Sequence, residues 1–269
     1  MATPDTITSA QLSRLIGTPD APIIIDVRID SDRKADPRVF PASIFQDHRA
    51  TPSWAAAYKG QHVVVICQRG LKLSQGAAAW LRHAGARAES LEGGFEVWAG
   101  ANAMLVRPDH VPPRDQHGRT LWVTRARPKI DRIACPWLIR RFIDPNAVFL
   151  FVTPSEVKDV ADRFGATAFD IEETFWSHRG DLCTFDVMIE EFGLRSDALS
   201  RLATIVRAAD TARLEIAPQA AGLLAAALGL SRMHRDDLAQ LEASMTLYDA
   251  FYRWSRDAVG ETHNWPTPA

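Results

Sequence analysis

The feature that most constrains this fold is a short apolar run, VVVIC at residues 63–67. A strand with one face in water alternates apolar and polar side chains, whereas a strand covered on both faces is apolar throughout. A second strand pattern precedes it at residues 23–27, and a helical pattern follows at residues 74–84, closed by Gly85. This alternation predicts an α/β fold with a parallel sheet flanked by helices.

The chain length predicts two domains. Its 269 residues exceed the roughly 150 residues of a typical domain. A polar, proline-bearing stretch at residues 107–120 separates two segments that each show strand and helix patterns. We therefore predict a first domain at 1–106, a linker at 107–120 and a second domain at 121–269.

The second segment predicts another α/β domain with a largely helical C-terminal half. Strand patterns lie at residues 121–124, 147–152 and 168–171, with one helix ending near Phe142 and another at 155–164. Two apolar stripes at helical spacing follow, the first behind a predicted Ser196 cap. They are Leu199, Leu202, Val206 and Ala209, and then Leu238, Leu241, Met245, Tyr248 and Tyr252.

Composition excludes several classes of protein. An apolar share of 46% and a net charge of −2 fit a globular chain without a global field for nucleic acid or an anionic membrane. The longest apolar run, residues 220–230, is too short to span a bilayer, and the first residues lack a signal-peptide pattern. Three widely spaced cysteines argue against a disulfide framework, so we expect reduced thiols in the cytoplasm and no membrane partner.

The first candidate site is the loop that follows the apolar strand. Cys67 ends that strand, and Ser74 is predicted to cap the next helix. Loop amides, the helix dipole and nearby cations would favour a thiolate and would hold an oxyanion against it. The candidate substrate-binding residues are Gln68, Arg69, Gly70, Leu71, Lys72 and Leu73. Cys67 is the candidate nucleophile.

Three motifs in order resemble a rhodanese domain over about residues 5–105. They are IIIDVR at 23–28, VVVICQRGLKLSQGAAAWLRHAG at 63–85 and LEGGFEVW at 91–98. The resemblance implies that Cys67 takes sulfane sulfur from a small sulfur oxyanion such as thiosulfate, as a persulfide. It implies transfer to a thiol or another nucleophilic acceptor. Asp26 and Arg28 are interpreted as a buried structural ion pair.

A basic segment opens the second half. Its seven cations are Arg119, Arg125, Arg127, Lys129, Arg132, Arg140 and Arg141. Such a segment binds an oxyanion, contacts a phosphate backbone or is simply solvated. Within it, Pro136 predicts a helix start that makes Cys135 an N-cap, where the dipole would lower the thiol pKa. The alternative is a packed, inert Cys135.

Further on, several metal-ligating residue types occur within seventeen positions. They are Asp170, Glu172, Glu173, His178, Asp181, Cys183 and Asp186. Imidazole, thiolate and carboxylate are ligands of first-row transition metals, although the spacing matches no defined zinc motif. Exposed acids with one packed cysteine and one hydrogen-bonded histidine explain the pattern equally well.

The second half resembles the C-terminal domain of the bacterial chromate-resistance (ChrB-type) family. The resemblance rests on residues 122–149, SHRGDLCTFD at 177–186 and IVRAADTARLEIAPQAAGLL at 205–224. It implies a role in chromate tolerance, although a rhodanese-like domain replaces the usual N-terminal region of that family. The candidate residues on these motifs are Asp131, Arg132, His178, Cys183, Asp186 and Asp210.

Among these residues, we predict a divalent transition-metal site at His178, Cys183, Asp186 and Asp210, with Arg132 binding substrate. Asp210 ends an apolar helical stripe, so its carboxylate needs a compensating metal or arginine. A plain Asp–Arg ion pair is the alternative.

The function predicted from the sequence is a sulfurtransferase coupled to a chromate-resistance domain that binds a metal or an oxyanion, chromate included. The alternative is a chromate-responsive regulator. The near-neutral charge and the lack of a recognisable helix-turn-helix make DNA an unfavoured partner. A scaffold that only docks partners is disfavoured because Cys67 is present in a full loop.

Overall fold

The computed structural model describes residues 5–261, which form eight strands and eleven α-helices. The strands are β1 Thr6–Ile7, β2 Ile23–Asp26, β3 Ile44–Phe45, β4 His62–Ile66, β5 Arg87–Leu91, β6 Leu121–Arg125, β7 Val148–Val152 and β8 Thr167–Ala168. The helices are α1 Ser9–Leu15, α2 Asp30–Ala35, α3 Thr51–Trp54, α4 Lys72–His83, α5 Gly94–Gly100, α6 Asp131–Leu138, α7 Val157–Phe164, α8 Thr184–Phe192, α9 Asp197–Asp210, α10 Ala220–Met233 and α11 Asp237–Arg253.

The first sheet has the strand order β1-β5-β4-β2-β3, and every neighbouring pair is parallel. Successive side chains of β4 point to opposite faces, and both faces are buried. Val64 and Ile66 join one apolar core, whereas Val63 and Val65 join a second core with Cys67 under α4. The apolar run at 63–67 therefore reflects a central strand covered on both sides, as predicted.

The second sheet has three parallel strands in the order β7-β6-β8. Helices α8 to α11 follow it, so the C-terminal half is largely helical. Ser196 caps α9 by accepting a hydrogen bond from the backbone N–H of Leu199, and the predicted apolar stripe of that helix is buried. In the predicted stripe of α11, Leu238 is half exposed while the other four residues are buried. The predicted fold class is confirmed.

The two halves share one apolar core. Trp98 and Phe95 of the first half belong to the same buried cluster as Trp137 and Phe142 of the second. Gly17 lies at the contact with a φ of +76°, and a Cβ there would lie 2.3 Å from the Phe142 ring. Only glycine fits this close approach, because an L side chain would be strained and would also collide with a fully buried ring.

The segment at residues 107–120, predicted as a linker, packs against the rest of the chain. The backbone N–H of Arg107 donates to the carbonyl of Phe192 at 2.9 Å, and Arg114 forms an ion pair with Asp144 at 3.1 Å. Pro112 is buried. The domain limits at 106 and 121 stay a prediction, and the connection between them is ordered by these contacts.

Among residues 5–261, no helix is both long enough and apolar enough to cross a membrane.

Candidate functional site

Cys67 lies directly after the C-terminal end of β4. Its side chain is only 4% exposed, and its Sγ lies 3.2 Å from the Ser74 hydroxyl oxygen. Ser74 was predicted to cap α4, but the helix begins at Lys72 with Leu71 in the N-cap position. That prediction is wrong, because Ser74 sits one turn inside the helix. Its hydroxyl donates to the carbonyl of Leu71 and contacts the cysteine sulfur instead of a backbone N–H.

The loop after Cys67 is held against the start of α5. The carbonyls of Cys67 and Gln68 accept hydrogen bonds from the backbone N–H groups of Phe95 and Glu96, both at 3.0 Å. Gly94 has a φ of +58°, and a Cβ there would lie 2.3 Å from the Cys67 carbonyl oxygen. The loop therefore keeps its shape because a glycine opposite it lets the two backbones touch.

A pocket of about 520 Å³ opens at Cys67. Five of the predicted substrate-binding residues line it, namely Gln68, Arg69, Leu71, Lys72 and Leu73. Ile29, Asp32 and Glu96 also line it. Local sequence around Cys67 does not predict these three residues, because they come from other segments of the chain. Gly70 is not on the wall. With a φ of +67°, it shapes the loop from behind.

Charges in this pocket partly cancel. Glu96 lies 3.5 Å from the Arg69 guanidinium and accepts a hydrogen bond from the Gln68 amide at 3.3 Å. Lys72 is exposed and has no ion-pair partner among residues 5–261. Lys72 is thus available to an anionic substrate, although the Asp32 carboxylate on the same wall offsets part of its charge.

Asp26 and Arg28 form the predicted buried ion pair. Their side chains lie 2.8 Å apart and are almost fully buried. The Arg28 guanidinium also donates to the carbonyls of Asp36 and Arg38 and stacks 3.8 Å from the Phe95 ring centre. All of these contacts are structural, because they tie the segment after β2 to the sheet and to α5.

Most of the basic segment is engaged inside the chain. Arg119 pairs with Asp115, Arg140 with Glu242 and Arg141 with Asp249. Arg127 donates to three backbone carbonyls, those of Ser231, His234 and Arg235. Arg125 and Arg132 both pair with Asp170. Of the seven cations, only Lys129 has no such partner among residues 5–261, so the segment does not present a continuous basic surface.

The second candidate site is an acidic cluster around His178. The Nε2 atom of His178 lies 3.4 Å from Asp131, 3.5 Å from Asp170 and 3.3 Å from Asp210, in each case from a carboxylate oxygen. Asp131 begins α6, Asp170 follows β8, and Asp210 ends α9. The cluster therefore joins four separate segments.

Hydrogen bonds fix the two most buried carboxylates. Asp131 accepts from the backbone N–H groups of Thr184 and Phe185 at the start of α8. Asp170 accepts from the Thr184 hydroxyl at one oxygen, while Arg125 and Arg132 pair with the other. The oxygens that face His178 are thus held in place by partners behind them.

Electrostatics in this cluster favour bound positive charge. Burial raises the pKa of Asp131 to about 6, although His178 opposes that shift. Hydrogen bonding of the His178 N–H to the carboxylates of Asp131, Asp170 and Asp210 raises the pKa of His178 to about 12. Burial alone would raise the pKa of Asp170, but His178 and the two arginines outweigh it and lower that pKa.

The predicted metal set is only partly brought together. His178 and Asp210 lie in the cluster, but Asp186 pairs with Arg207 at 2.9 Å and accepts from the backbone N–H of Cys183. Among residues 5–261, the His, Cys, Asp and Glu atoms close enough together to share one ion belong to Asp131, Asp170 and His178. Within that part of the chain, the group includes His178 but not Cys183, Asp186 or Asp210.

The two thiols of the second half are buried. Burial raises the pKa of both Cys135 and Cys183. The prediction of Cys135 as an N-cap is wrong, because α6 begins at Asp131 and Pro136 lies inside it. Seven of the eight residues of α6 are buried, and that burial outweighs the one backbone hydrogen bond that a proline cannot donate.

Asp170 was noted in the sequence among seven donor residues but was not singled out. One signal of its role is conformational: Asp170 has a φ of +52°, and Ile130, directly before Asp131, has a φ of +32°. Such conformations cost about 1–3 kcal/mol each in non-glycine residues and concentrate at functional sites. Nothing in a single sequence predicts them.

Comparison with protein families gives two matches. Residues 122–255 match the ChrB C-terminal domain, and residues 8–101 match the rhodanese-like domain. Protein ChrB of Cupriavidus metallidurans is 35% identical to this chain over 146 residues. That stretch is 53% of this chain and 44% of ChrB, so the match spans less than half of the relative's length.

Solved structures with similarity to the chain include two rhodanese-type proteins. A rhodanese-like domain protein from Staphylococcus aureus is 21% identical and covers 35% of this chain and 90% of its own, with a TM-score of 0.32. A rhodanese-related protein from Thermoplasma volcanium is 22% identical and covers 38% of this chain and 96% of its own, with a TM-score of 0.33.

Proposed function

Because this chain joins a rhodanese-like domain to a ChrB C-terminal domain, we propose that it is a sulfurtransferase that acts in chromate tolerance. The observation that carries the proposal is the position of Cys67. Its sulfur lies directly after the end of β4, beside the Ser74 hydroxyl, on the wall of a pocket that Lys72 also lines. A lone buried cysteine in a core would have no such opening.

The proposed reaction has two displacements at sulfur. The Cys67 thiolate attacks the sulfane sulfur of thiosulfate, the S–S bond of thiosulfate breaks, and sulfite leaves with the bonding electron pair. A persulfide remains on Cys67. A thiol acceptor, as its thiolate, then attacks the outer sulfur and carries it away, which returns Cys67 as a thiolate. No net oxidation or reduction of the enzyme occurs over the cycle.

The loop supplies the electrostatics of the first displacement. The N-terminus of α4, which begins at Lys72, favours nearby negative charge, and the Lys72 ammonium on the pocket wall adds a positive charge. Glu96 reduces this field by pairing with Arg69. We therefore propose that the site accepts a sulfur oxyanion without being strongly selective for a dianion.

A role for the second half in chromate tolerance is supported by its match to the ChrB C-terminal domain. The alternative is a chromate-responsive regulator that contacts DNA through residues 119–141. Internal pairing of six of the seven cations there weakens that alternative, because each paired carboxylate offsets positive charge that would attract phosphate. We place the chain in the cytoplasm, since its three cysteines are free and buried.

The test is a thiosulfate sulfurtransferase assay on the full chain and on three cysteine variants. Cys67→Ala should lose transfer entirely, whereas Cys135→Ala and Cys183→Ala should keep most of it. Intact-protein mass spectrometry after incubation with thiosulfate should find one added sulfur atom on the wild type and none on Cys67→Ala. A persulfide that persists in Cys67→Ala, or a wild-type protein that takes sulfur from neither thiosulfate nor an organic persulfide, overturns the proposal.

A further inference from the structure

We propose that Asp131, Asp170 and His178 bind a divalent first-row metal ion such as Zn²⁺ or Mn²⁺. This inference adds a ligand for the second half of the chain to the proposed function. It does not depend on sulfur transfer at Cys67. The three ligand atoms lie within 4.8 Å of one another, and Asp210 lies 3.3 Å from the same histidine nitrogen.

The separations are those of ligands around an ion. Zinc bonds to nitrogen and oxygen of about 2.1 Å place neighbouring atoms of a tetrahedron about 3.4 Å apart. The three distances from the His178 Nε2 atom to the carboxylate oxygens are 3.3, 3.4 and 3.5 Å. All three are longer than the 2.7–2.9 Å or so of a charge-assisted hydrogen bond.

A proton on His178 accounts less well for this arrangement. One N–H bond points in one direction, so it satisfies one carboxylate well and not three. An ion placed among Asp131, Asp170 and His178 can contact all three. The cluster is also more than a patch of surface acids, because Asp131 is fully buried and Asp170 is 6% exposed.

The surroundings match those of a metal centre. Ligating carboxylates are usually held by outer hydrogen bonds, and here Thr184 donates to both Asp131 and Asp170. Arg125 and Arg132 pair with Asp170 Oδ2, whereas Oδ1 is the oxygen nearest His178. The arginines therefore orient Asp170 from the far side and offset the excess negative charge of three carboxylates.

The donor set indicates the class of ion. One imidazole and two carboxylates are borderline to hard donors, which suit Zn²⁺, Mn²⁺ and Fe²⁺ and do not suit Cu⁺. The two thiols of this half do not change that choice, because both are buried and neither belongs to the ligand group within residues 5–261. His178 is 41% exposed in its side chain, so the ion has a route in from solvent.

The competing account is an ion-pair network without metal, in which protonated His178 simply neutralises its neighbours. The two accounts differ in what happens when metal is added. A metal that binds the folded chain raises its melting temperature further as the ion concentration rises above Kd, whereas an ion-pair network gives no such dependence.

The experiment uses the full chain after treatment with a chelator and dialysis. Calorimetric titration with ZnCl₂ and with MnCl₂ should show one ion per chain, and Zn²⁺ should raise the melting temperature. His178→Ala and Asp170→Asn should each weaken binding by about 100-fold or more. Asp181→Asn, in the same segment but with a fully solvated side chain, is the matched control and should bind like the wild type.

Binding of neither ion by wild-type protein, or equal binding by His178→Ala and wild type, overturns the inference. Because His178 is partly exposed, that variant is expected to fold, and circular dichroism will verify it. If Asp170→Asn fails to fold, the comparison of zinc-dependent melting temperature between wild type and His178→Ala is the test of the inference. Cys67→Ala should bind zinc normally, so a failed sulfur-transfer assay and a failed metal titration are separate results.

Discussion

The loop at Cys67 consists of seven consecutive residues, whereas the cluster at His178 collects side chains from residues 131 to 210. The first is shaped by backbone: a strand end, a helix start and two glycines in contact. The second is shaped by charge: three carboxylates, one imidazole and two arginines. We call the first a backbone site and the second a charge site. Added atoms should damage a backbone site most, because they push its segments apart. Loss of a hydrogen-bond partner should damage a charge site most, because the partner holds a charged group in place.

The largest effect is expected from adding one methyl group at Gly94. Gly94→Ala would place a Cβ about 2.3 Å from the carbonyl of Cys67 and would displace the loop. A shift of about 1 Å at a reacting group costs about 100-fold in rate, so we expect a loss of sulfur transfer of that size. The measurement is the initial rate with thiosulfate, with a melting curve to establish that the variant is folded.

Gly76→Ala is the control for this experiment. Gly76 lies within α4, and a Cβ there would meet nothing within 4 Å. Its rate should equal that of wild type, and its stability should rise slightly because alanine favours a helix. If Gly94→Ala retained full activity, the loop would not be rigid, and the contrast between a backbone site and a charge site would fail.

A smaller effect is expected from Thr184→Val, which removes a partner from the charge site. The Thr184 hydroxyl donates to Asp170 at 3.1 Å, and valine has the same shape without the hydroxyl. Outer hydrogen bonds to metal ligands are worth about 10-fold to 100-fold in affinity, and we expect a loss near 10-fold for Zn²⁺. Isothermal titration measures it.

Thr204→Val is the matched control for Thr184→Val. The Thr204 hydroxyl bonds only to a backbone carbonyl of its own helix, so zinc affinity should be unchanged. Equal affinities for wild type and Thr184→Val would mean that the arginines alone orient Asp170.

The smallest effect is expected from Glu96→Gln, which removes charge from the backbone site. The Glu96 to Arg69 pair is exposed, and such pairs are worth about 0.2–1 kcal/mol. Freeing Arg69 should raise kcat/KM for thiosulfate by about 2-fold to 5-fold at low salt, with the gain shrinking as salt screens it. Glu156→Gln, outside the pocket, should change nothing. A decrease for Glu96→Gln would show that Glu96 positions the loop through Gln68 instead.

The same contrast explains how much of each site could be predicted from the sequence. Strand, loop and helix at residues 62–83 are consecutive, so apolar patterning and residue type were enough to predict them and the position of Cys67. The helix start was placed two residues late because Ser74 is a good N-cap, and the contact of its hydroxyl with Cys67 cannot be read from spacing.

The cluster at His178 was predicted less well because proximity in sequence was taken for proximity in space. Cys183 and Asp186 are near His178 in the chain, but Asp186 is drawn to Arg207 of another helix. Asp131 lies 47 positions before His178 and still reaches it, because α6 begins beside α8. Contacts of this kind depend on how helices pack and are not encoded in local spacing.

The close packing of Gly17 against Phe142 and Tyr252 limits how the amino-acid sequence of this protein can change during evolution. A substitution on one side of this junction alters the fit on the other, so the two halves must accumulate changes together. A chimera that brought in a different first half with the same fold would need a small residue at this point and a matching apolar face. The two halves therefore fit together by surface complementarity, as the subunits of an obligate oligomer do.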